Sequence, residues 1–396
     1  MAKLYLKKGK ESSLQRRHPW LFSGAIELVD SDGELAEGEV VEIYSKAGDF
    51  LAVGHYQVGS IAVRILSFEQ EVIDAQWWRD RVQAAYELRV SLALFESEQT
   101  TCYRLIHGEG DSLPGLVVDI YGDVAVVQCH SIGMYLSRDV IAQSIVDVYG
   151  GKIKAVYNKS AKTLPFNSGV SVEDGYLVGE GSSSRAEVLE NGHKFMVNWE
   201  RGQKTGFFID QRFNRQLVGQ YSAGRTVLNT FCYTGGFSVY ALAGGAKEVC
   251  SVDSSEHALH LAQENVELNF GEDSRHSTLA VDAVEYLKNI GDKYDLIILD
   301  PPAFAKNQRA ISSATQAYRR LNARAISQIK SGGILFTFSC SQAISKELFR
   351  TTLFSAAAIA GRKVRILHQL SQPADHPINI YHPEGEYLKG LVVYVE

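Results

Sequence analysis

No run of apolar residues in the 396-residue chain approaches the ~20 needed to cross a bilayer as a helix, so no membrane partner is expected. The opening Met1-Ala2-Lys3-Leu4-Tyr5-Leu6-Lys7-Lys8 lacks the apolar centre of a secretory signal, and a cytoplasmic protein is expected. Cysteine is scarce. The five cysteines, Cys102, Cys129, Cys232, Cys250 and Cys340, include no C-x-x-C pair. That argues against a disulfide framework and against a zinc site, and no metal is expected. Basic charge is not in excess either: 40 Lys and Arg against 46 Asp and Glu give a net charge of -6. A protein that coats nucleic acid by bulk charge is therefore excluded, and any such contact must come from local patches. Internal repeats and low-complexity tracts are absent apart from a Gly/Ser-rich stretch at 179–184. With 45% hydrophobic and 22% charged residues, the composition is that of a soluble globular chain. Its length suits two to three domains at roughly 150 residues each.

Three textures follow one another. Residues 1–70 read as short strands punctuated by Gly38, Gly48 and Gly59, which suggests a small β-barrel. From Val72 to about Ser97, Trp78, Val82, Ala85, Leu88 or Arg89, Leu92 and Phe95 recur at helical spacing. This helix opens a central mixed α/β region, and the two together span residues 71–185. The remainder, 186–396, alternates strand and helix beyond residue 220. The expected class is α/β, a doubly wound parallel sheet that binds its ligand beyond the carboxyl ends of the strands.

The strand ends carry the chemistry. The first strand of the last region ends in Phe231-Cys232-Tyr233-Thr234-Gly235-Gly236, the second in Asp253, the third in Asp282, the fourth in Asp300-Pro301-Pro302 and the fifth in Ser339-Cys340-Ser341. Three carboxylates and a thiol should converge on one rim. Thr234-Gly235-Gly236-Phe237-Ser238 lacks the G-x-G-x-x-G spacing that brings backbone against a pyrophosphate. A nucleoside without a pyrophosphate needs one close backbone approach, which Gly235 or Gly236 permits. Asp253, 17 residues past Gly236, is placed to accept ribose hydroxyls, and Asp282 an adenine amino group. The set favours S-adenosylmethionine over NAD.

Asp300-Pro301-Pro302-Ala303-Phe304 fixes the backbone beside the ligand's sulfonium. It suits methylation of an exocyclic amine, with Phe304 stacked on a base, and leaves the modified atom open. Cys340 points to another atom. C5 of a pyrimidine becomes nucleophilic once a thiolate adds to C6. A cysteine after an apolar strand is also an ordinary small core residue, the reading adopted for Cys102, Cys129, Cys232 and Cys250. For Cys340 the spacing alone leaves both readings open.

Several motifs together resemble the large-subunit ribosomal RNA cytosine-C5 methyltransferase family with an N-terminal PUA domain. They are Arg16-Arg17-His18-Pro19-Trp20-Leu21-Phe22-Ser23-Gly24-Ala25, Tyr103-Arg104-Leu105-Ile106 with Gly108-Glu109 and Leu113-Pro114-Gly115, and Lys204-Thr205-Gly206 with Asp210-Gln211-Arg212. Asn229 to Phe237, Asp300-Pro301-Pro302, Phe338-Ser339-Cys340-Ser341, Ala374-Asp375-His376-Pro377 and Pro383-Glu384-Gly385-Glu386-Tyr387-Leu388-Lys389-Gly390 complete the set. The resemblance covers essentially the whole chain. It implies a PUA domain at 1–70, a central domain at 71–185 that helps hold RNA, and a class I methyltransferase domain at 186–396. It also implies Cys340 as nucleophile and donor contacts at Asp210, Gln211, Arg212, Asn229, Phe231, Tyr233, Thr234, Gly235, Gly236, Asp253, Asp282 and Asp300.

Many RNA cytosine-C5 methyltransferases have a second cysteine after the strand-four proline. Position 302 here is Pro, so another base must take the C5 proton, and Asp300 is the nearest candidate. The expected activity is 5-methylcytosine formation in 23S ribosomal RNA, naked or within a large-subunit assembly particle, on a base taken out of its stack. Two alternatives stay open: an amino-N methyltransferase in which Cys340 only packs, and a non-catalytic RNA-binding assembly factor. For the RNA, Lys7, Lys8, Arg16, Arg17 and Trp20 form one candidate patch, since residues 1–20 hold six basic side chains against Glu11. Lys306 and Arg309 after the fourth strand form another. The sequence leaves the oligomeric state open, a homodimer being one possibility.

Overall fold

The computed structural model describes the whole chain except residues 32, 96, 165–169, 181, 182 and 306. The chain folds as two compact units, one of Met1–Val188, Val197–Phe207 and Ala374–Gly385, the other of Leu189–Met196, Phe208–Pro373 and Glu386–Glu396.

The first unit contains two sheets with separate cores. Six strands make the first, in the order Trp20–Phe22, Ile61–Ser67, Phe50–Tyr56, Val40–Tyr44, Ala2–Leu6, Ile26–Asp30. The basic opening stretch starts as a strand: Ala2, Leu4 and Leu6 alternate into a core with Leu21, Val41, Ile43 and Val63. A five-stranded sheet runs Gly175–Val178, Ala155–Asn158, Val124–Cys129, Leu116–Tyr121, Cys102–His107. Asp74 caps the helix Ala75–Ser91 that packs in this region's core, accepting from the Trp77 amide at 2.9 Å.

That helix stops at Ser91, short of the expected Ser97, so Leu92 and Phe95 lie past it. Of the two candidates for the inward position, Arg89 is the one that turns in, at 0% exposure, while Leu88 stays exposed. Hydrogen bonding explains the choice. Arg89 grips both Asp111 oxygens at 2.5 and 2.8 Å and donates to the Arg104 and Asp375 carbonyls at 2.7 and 2.8 Å.

The second unit is built on seven strands: β1 (Thr226–Thr230), β2 (Glu248–Asp253), β3 (His276–Ala280), β4 (Leu296–Leu299), β5 (Gly333–Ser339), β6 (Val364–Leu370) and β7 (Lys389–Val395). Their order is β3-β2-β1-β4-β5-β7-β6. The first five run parallel, and β7 runs antiparallel to both β5 and β6. The helices are α1 (Arg212–Tyr221), α2 (Gly236–Ala243), α3 (Glu256–Phe270), α4 (Ala283–Tyr286), α5 (Ile311–Gln328) and α6 (Lys346–Ala360). Ser255, one of two expected caps, accepts from the Ala258 amide at 3.2 Å at the start of α3. β5 is buried along its whole length, as a strand covered on both faces must be. Strand order reverses between β1 and β4, so their carboxyl ends open the crevice where such sheets bind ligands. The doubly wound α/β class is therefore the observed one. Among the described residues, no helix is long and apolar enough to cross a membrane, and no cluster of His, Cys, Asp or Glu could hold a metal ion.

Candidate active site

After β1 the backbone turns sharply: Phe231, Tyr233 and Gly235 have φ of 54°, 46° and 71°. For the two aromatic residues this conformation costs energy and persists only because the surroundings impose it. Gly235 is dictated by packing as well, since a Cβ there would sit 2.8 Å from the Ala262 Cβ on α3. The turn is fastened to β2. The Tyr233 amide donates to Asp253 Oδ2 at 3.1 Å, and the Ser255 amide to Oδ1 at 3.0 Å. Each Asp253 oxygen keeps acceptor capacity for a ligand hydroxyl. Thr234 is buried, and its carbonyl accepts from Asn265 Nδ2 at 2.8 Å.

Asp210, Gln211 and Arg212 stand where the chain enters α1. Gln211 is nearly buried; its Nε2 donates to Asp300 Oδ2 at 3.0 Å, while its Oε1 accepts from Asn214 at 2.6 Å. Asp210 Oδ2 accepts from the Tyr387 hydroxyl at 2.7 Å, and its buried Oδ1 has no partner among the described residues. Arg212 is buried beside Glu190, which also binds Arg215 through two bonds of 2.7 and 2.6 Å. Enclosure by protein pushes the Asp300 carboxyl up to about 7; the Asp210 charge adds to the rise, and the Gln211 bond and Arg215 oppose it.

β2 to β5 are parallel, so Asp253, Asp282, Asp300 and Cys340, all at or just past strand carboxyl ends, lie on one edge of the sheet. Asp282 is exposed and caps α4, accepting from the Glu285 amide at 2.9 Å. Asn229 lies lower, within β1. Its Nδ2 donates to Ser238, from which a buried chain continues through Ser251 to His276.

The loops after β4 and β5 are tied by the Ala305 amide donating to Ser341 Oγ at 3.2 Å, and the Tyr318 hydroxyl lies 3.1 Å from that oxygen. Phe304 is partly buried, packed against the core beneath that loop and on Tyr318 with ring centroids 4.7 Å apart. Cys340 is half-buried between the buried Ser339 and Ser341, whereas the other four cysteines are buried.

Of the candidate RNA-binding residues in the first unit, Lys7, Lys8, Arg16 and Arg17 are exposed. Trp20 is half-buried, with Nε1 donating to Glu109 at 2.8 Å and its ring against His382 at 4.3 Å. Arg309 is exposed on the second unit; Lys306 lies outside the described residues. Sequence reasoning assigned no role to Tyr387, Lys389 or the Glu190–Arg215 pair. A lysine inside the apolar run Leu388 to Val395 was the available signal for Lys389.

A doubly wound sheet with a strained turn after β1 and acids at the following strand ends is the architecture of an S-adenosylmethionine-dependent methyltransferase. Residues 170–381 match the S-adenosylmethionine-dependent methyltransferase family, and residues 4–68 match the PUA-like domain. Ribosomal RNA large subunit methyltransferase I of Aeromonas hydrophila is 42% identical over 398 aligned residues covering 99% of both chains. The same-named protein of Klebsiella pneumoniae is 38% identical over 99% of this chain and 98% of its own. A solved Streptococcus mutans structure, described as a SAM-dependent methyltransferase, is 27% identical over the full length of both chains with a TM-score of 0.84. Another, a methyltransferase complexed with SAH, has 27% identity, full coverage of both chains and a TM-score of 0.86. The chain belongs to the S-adenosylmethionine-dependent methyltransferases, in the family of ribosomal RNA large subunit methyltransferase I. The residues present fit the donor. The unpartnered Asp210 oxygen suits a donor ammonium, and the spare acceptor sites of Asp253 suit ribose hydroxyls.

Proposed function

We propose that the protein forms 5-methylcytosine in large-subunit (23S) ribosomal RNA, working in the cytoplasm on RNA or an assembling particle. Relatives of near-equal length carry the ribosomal RNA large subunit methyltransferase name, which supports the RNA class. The observation that carries the choice of atom is the half-buried Cys340, just past the tip of β5 and on the same sheet edge as Asp253 and Asp300.

In this reading the RNA is held by Lys7, Lys8, Arg16, Arg17 and Trp20 of one unit and by Lys306 and Arg309 of the other. The donor is held by Asp210, Gln211, Arg212, Asn229, the turn from Phe231 through Tyr233 and Thr234 to Gly235 and Gly236, Asp253, Asp282 and Asp300. Bound there, the donor supplies an electrophilic methyl on a sulfonium. The Cys340 thiolate adds to C6 of a flipped cytosine, forming the S–C6 bond and placing electron density on C5. C5 takes the methyl as the methyl–sulfur bond breaks. A base then removes the C5 proton, and the pair left behind expels the thiolate. Asp300 is that base: with its affinity near 7, it accepts a proton at neutral pH.

Mass-spectrometric mapping of 23S ribosomal RNA from cells lacking the protein tests this. One 5-methylcytosine should disappear, return with the wild-type gene, and stay absent with Cys340→Ala. Restoration by Cys340→Ala, or loss of an amino-N mark instead, overturns the reading.

A further inference from the structure

Lys389 is a buried cation that the mechanism leaves unused. It opens β7, an otherwise apolar strand, and its backbone pairs in register with Ser339, the residue before Cys340. Only 3% of Lys389 is exposed, and its Nζ donates to the Ser341 carbonyl at 2.6 Å. The ammonium is thereby anchored to the residue on the other side of Cys340.

Burying an ammonium is costly unless negative charge lies nearby, and one carbonyl uses only one of its three N–H groups. Among the described residues three titratable groups act on it: the Cys340 thiol after β5, Glu386 before β7 and Lys346 of α6; the Tyr318 hydroxyl of α5 reaches Ser341 at its side-chain oxygen instead. Glu386 already pairs with Lys346, which leaves Cys340 as the natural counter-charge. We propose that Lys389 is a positioning residue that holds Cys340 as a thiolate in the resting enzyme and receives it again when the product is expelled. The inference rests on Cys340 being the nucleophile.

Burial lowers the Lys389 ammonium to about 8, and the Cys340 charge is the chief opposing influence. At neutral pH the amine is therefore mostly charged. The sulfur proton departs to water, and the ammonium keeps its own. When the sulfur pair enters the S–C6 bond the counter-charge is lost, and elimination restores it, so the cation favours a clean leaving group at the last step.

The test is the pH profile of Cys340 alkylation by iodoacetamide in the full-length protein, read by peptide mass spectrometry so that the buried cysteines do not contribute. The wild-type midpoint should fall at least about one unit below the ~8.5 of an ordinary thiol. Lys389→Met should raise it by about one unit or more, and Lys389→Arg should keep it within about half a unit of wild type. A wild-type midpoint at or above the ordinary value overturns the proposal without recourse to any variant, as do coincident wild-type and Lys389→Met profiles. Failure of the nucleophile reading looks different: Cys340→Ala would keep methylating RNA while the low wild-type thiol midpoint persisted.

Discussion

Both units bury charged side chains, and they finish them differently. In the first, Asp119 receives Arg104 through two bonds of 2.8 Å and the Thr205 hydroxyl at 2.6 Å, and Asp111 receives both Arg89 nitrogens and the His107 amide. These clusters are closed. At the rim of the second, among the described residues, Asp300 has a single amide donor, Asp210 Oδ1 has none, and Lys389 bonds the carbonyl of Ser341 within electrostatic reach of the Cys340 thiol. The contrast is not between unit and unit as a whole, because Glu190 with Arg215 in the second unit is as complete as any pair in the first. A saturated buried ion pair holds a fold and has nothing left to offer a ligand, whereas a buried charge short of partners has both capacity and a perturbed proton affinity.

The sharpest way to break that contrast is to neutralise one member of each kind. Asp300→Asn should slow single-turnover methylation at saturating donor by ~10²- to 10⁴-fold, the usual contribution of a positioned base. It should leave the unfolding midpoint at pH 8 unchanged or higher, because the native carboxyl is ionised there against its preference. Retained single-turnover chemistry would remove Asp300 from the role of base. Asp119→Ala should do the opposite, costing about 3–5 kcal/mol in denaturant unfolding because the largely buried Arg104 loses its carboxylate partner. A cost below about 1 kcal/mol would contradict the structural reading.

Acid and base should then separate the two kinds of buried group by sign. Burial, with Arg64 nearby, brings His55 of the first unit down to about 4, and burial with Lys204, Arg104 and Arg64 brings His130 to about 4. Both are neutral in the fold. Their contribution is complete above pH 6.5 and is lost as pH falls towards 4, by roughly 3 kcal/mol for His55. Asp300 has a raised proton affinity, so its contribution is greatest at low pH and declines between about 4 and 7. Unfolding free energies of wild type and His55→Gln across pH 4–8 check this: the variant should lose less stability on acidification, and parallel curves would refute the assignment. The smallest effect is electrostatic. Replacing Lys7, Lys8, Arg16 and Arg17 by Ala should weaken RNA binding and reduce the salt dependence of log affinity by up to about 3. An unchanged slope would remove this patch from the RNA site.

The strand ends were legible because apolar runs that stop at Asp, Pro or Ser advertise themselves: Asp253, Asp300 and Cys340 fall at or just past the ends of β2, β4 and β5. Regular alternation likewise announced the doubly wound sheet. What stayed hidden had polar residues doing inward work. α1 buries Arg212, Asn214 and Arg215, which blurs its apolar stripe, and Arg89 occupies a core position that periodicity offered equally to Leu88. Ala2–Leu6 alternates correctly but reads as a basic tail, because its outward residues and successors are lysines. Lys389 and Tyr387 could not be assigned roles because their partners, Ser341 and Asp210, come from distant parts of the chain.

Trapping on RNA whose target cytosine carries fluorine at C5 tests the central chemistry most directly, since the proton to be removed is replaced by an atom that cannot leave. The wild-type protein with S-adenosylmethionine should form a denaturation-resistant adduct, with Cys340 as the linked peptide residue, and Cys340→Ala should form none. An adduct of equal yield with Cys340→Ala, or its absence in a wild-type protein that still methylates ordinary RNA, would contradict the account.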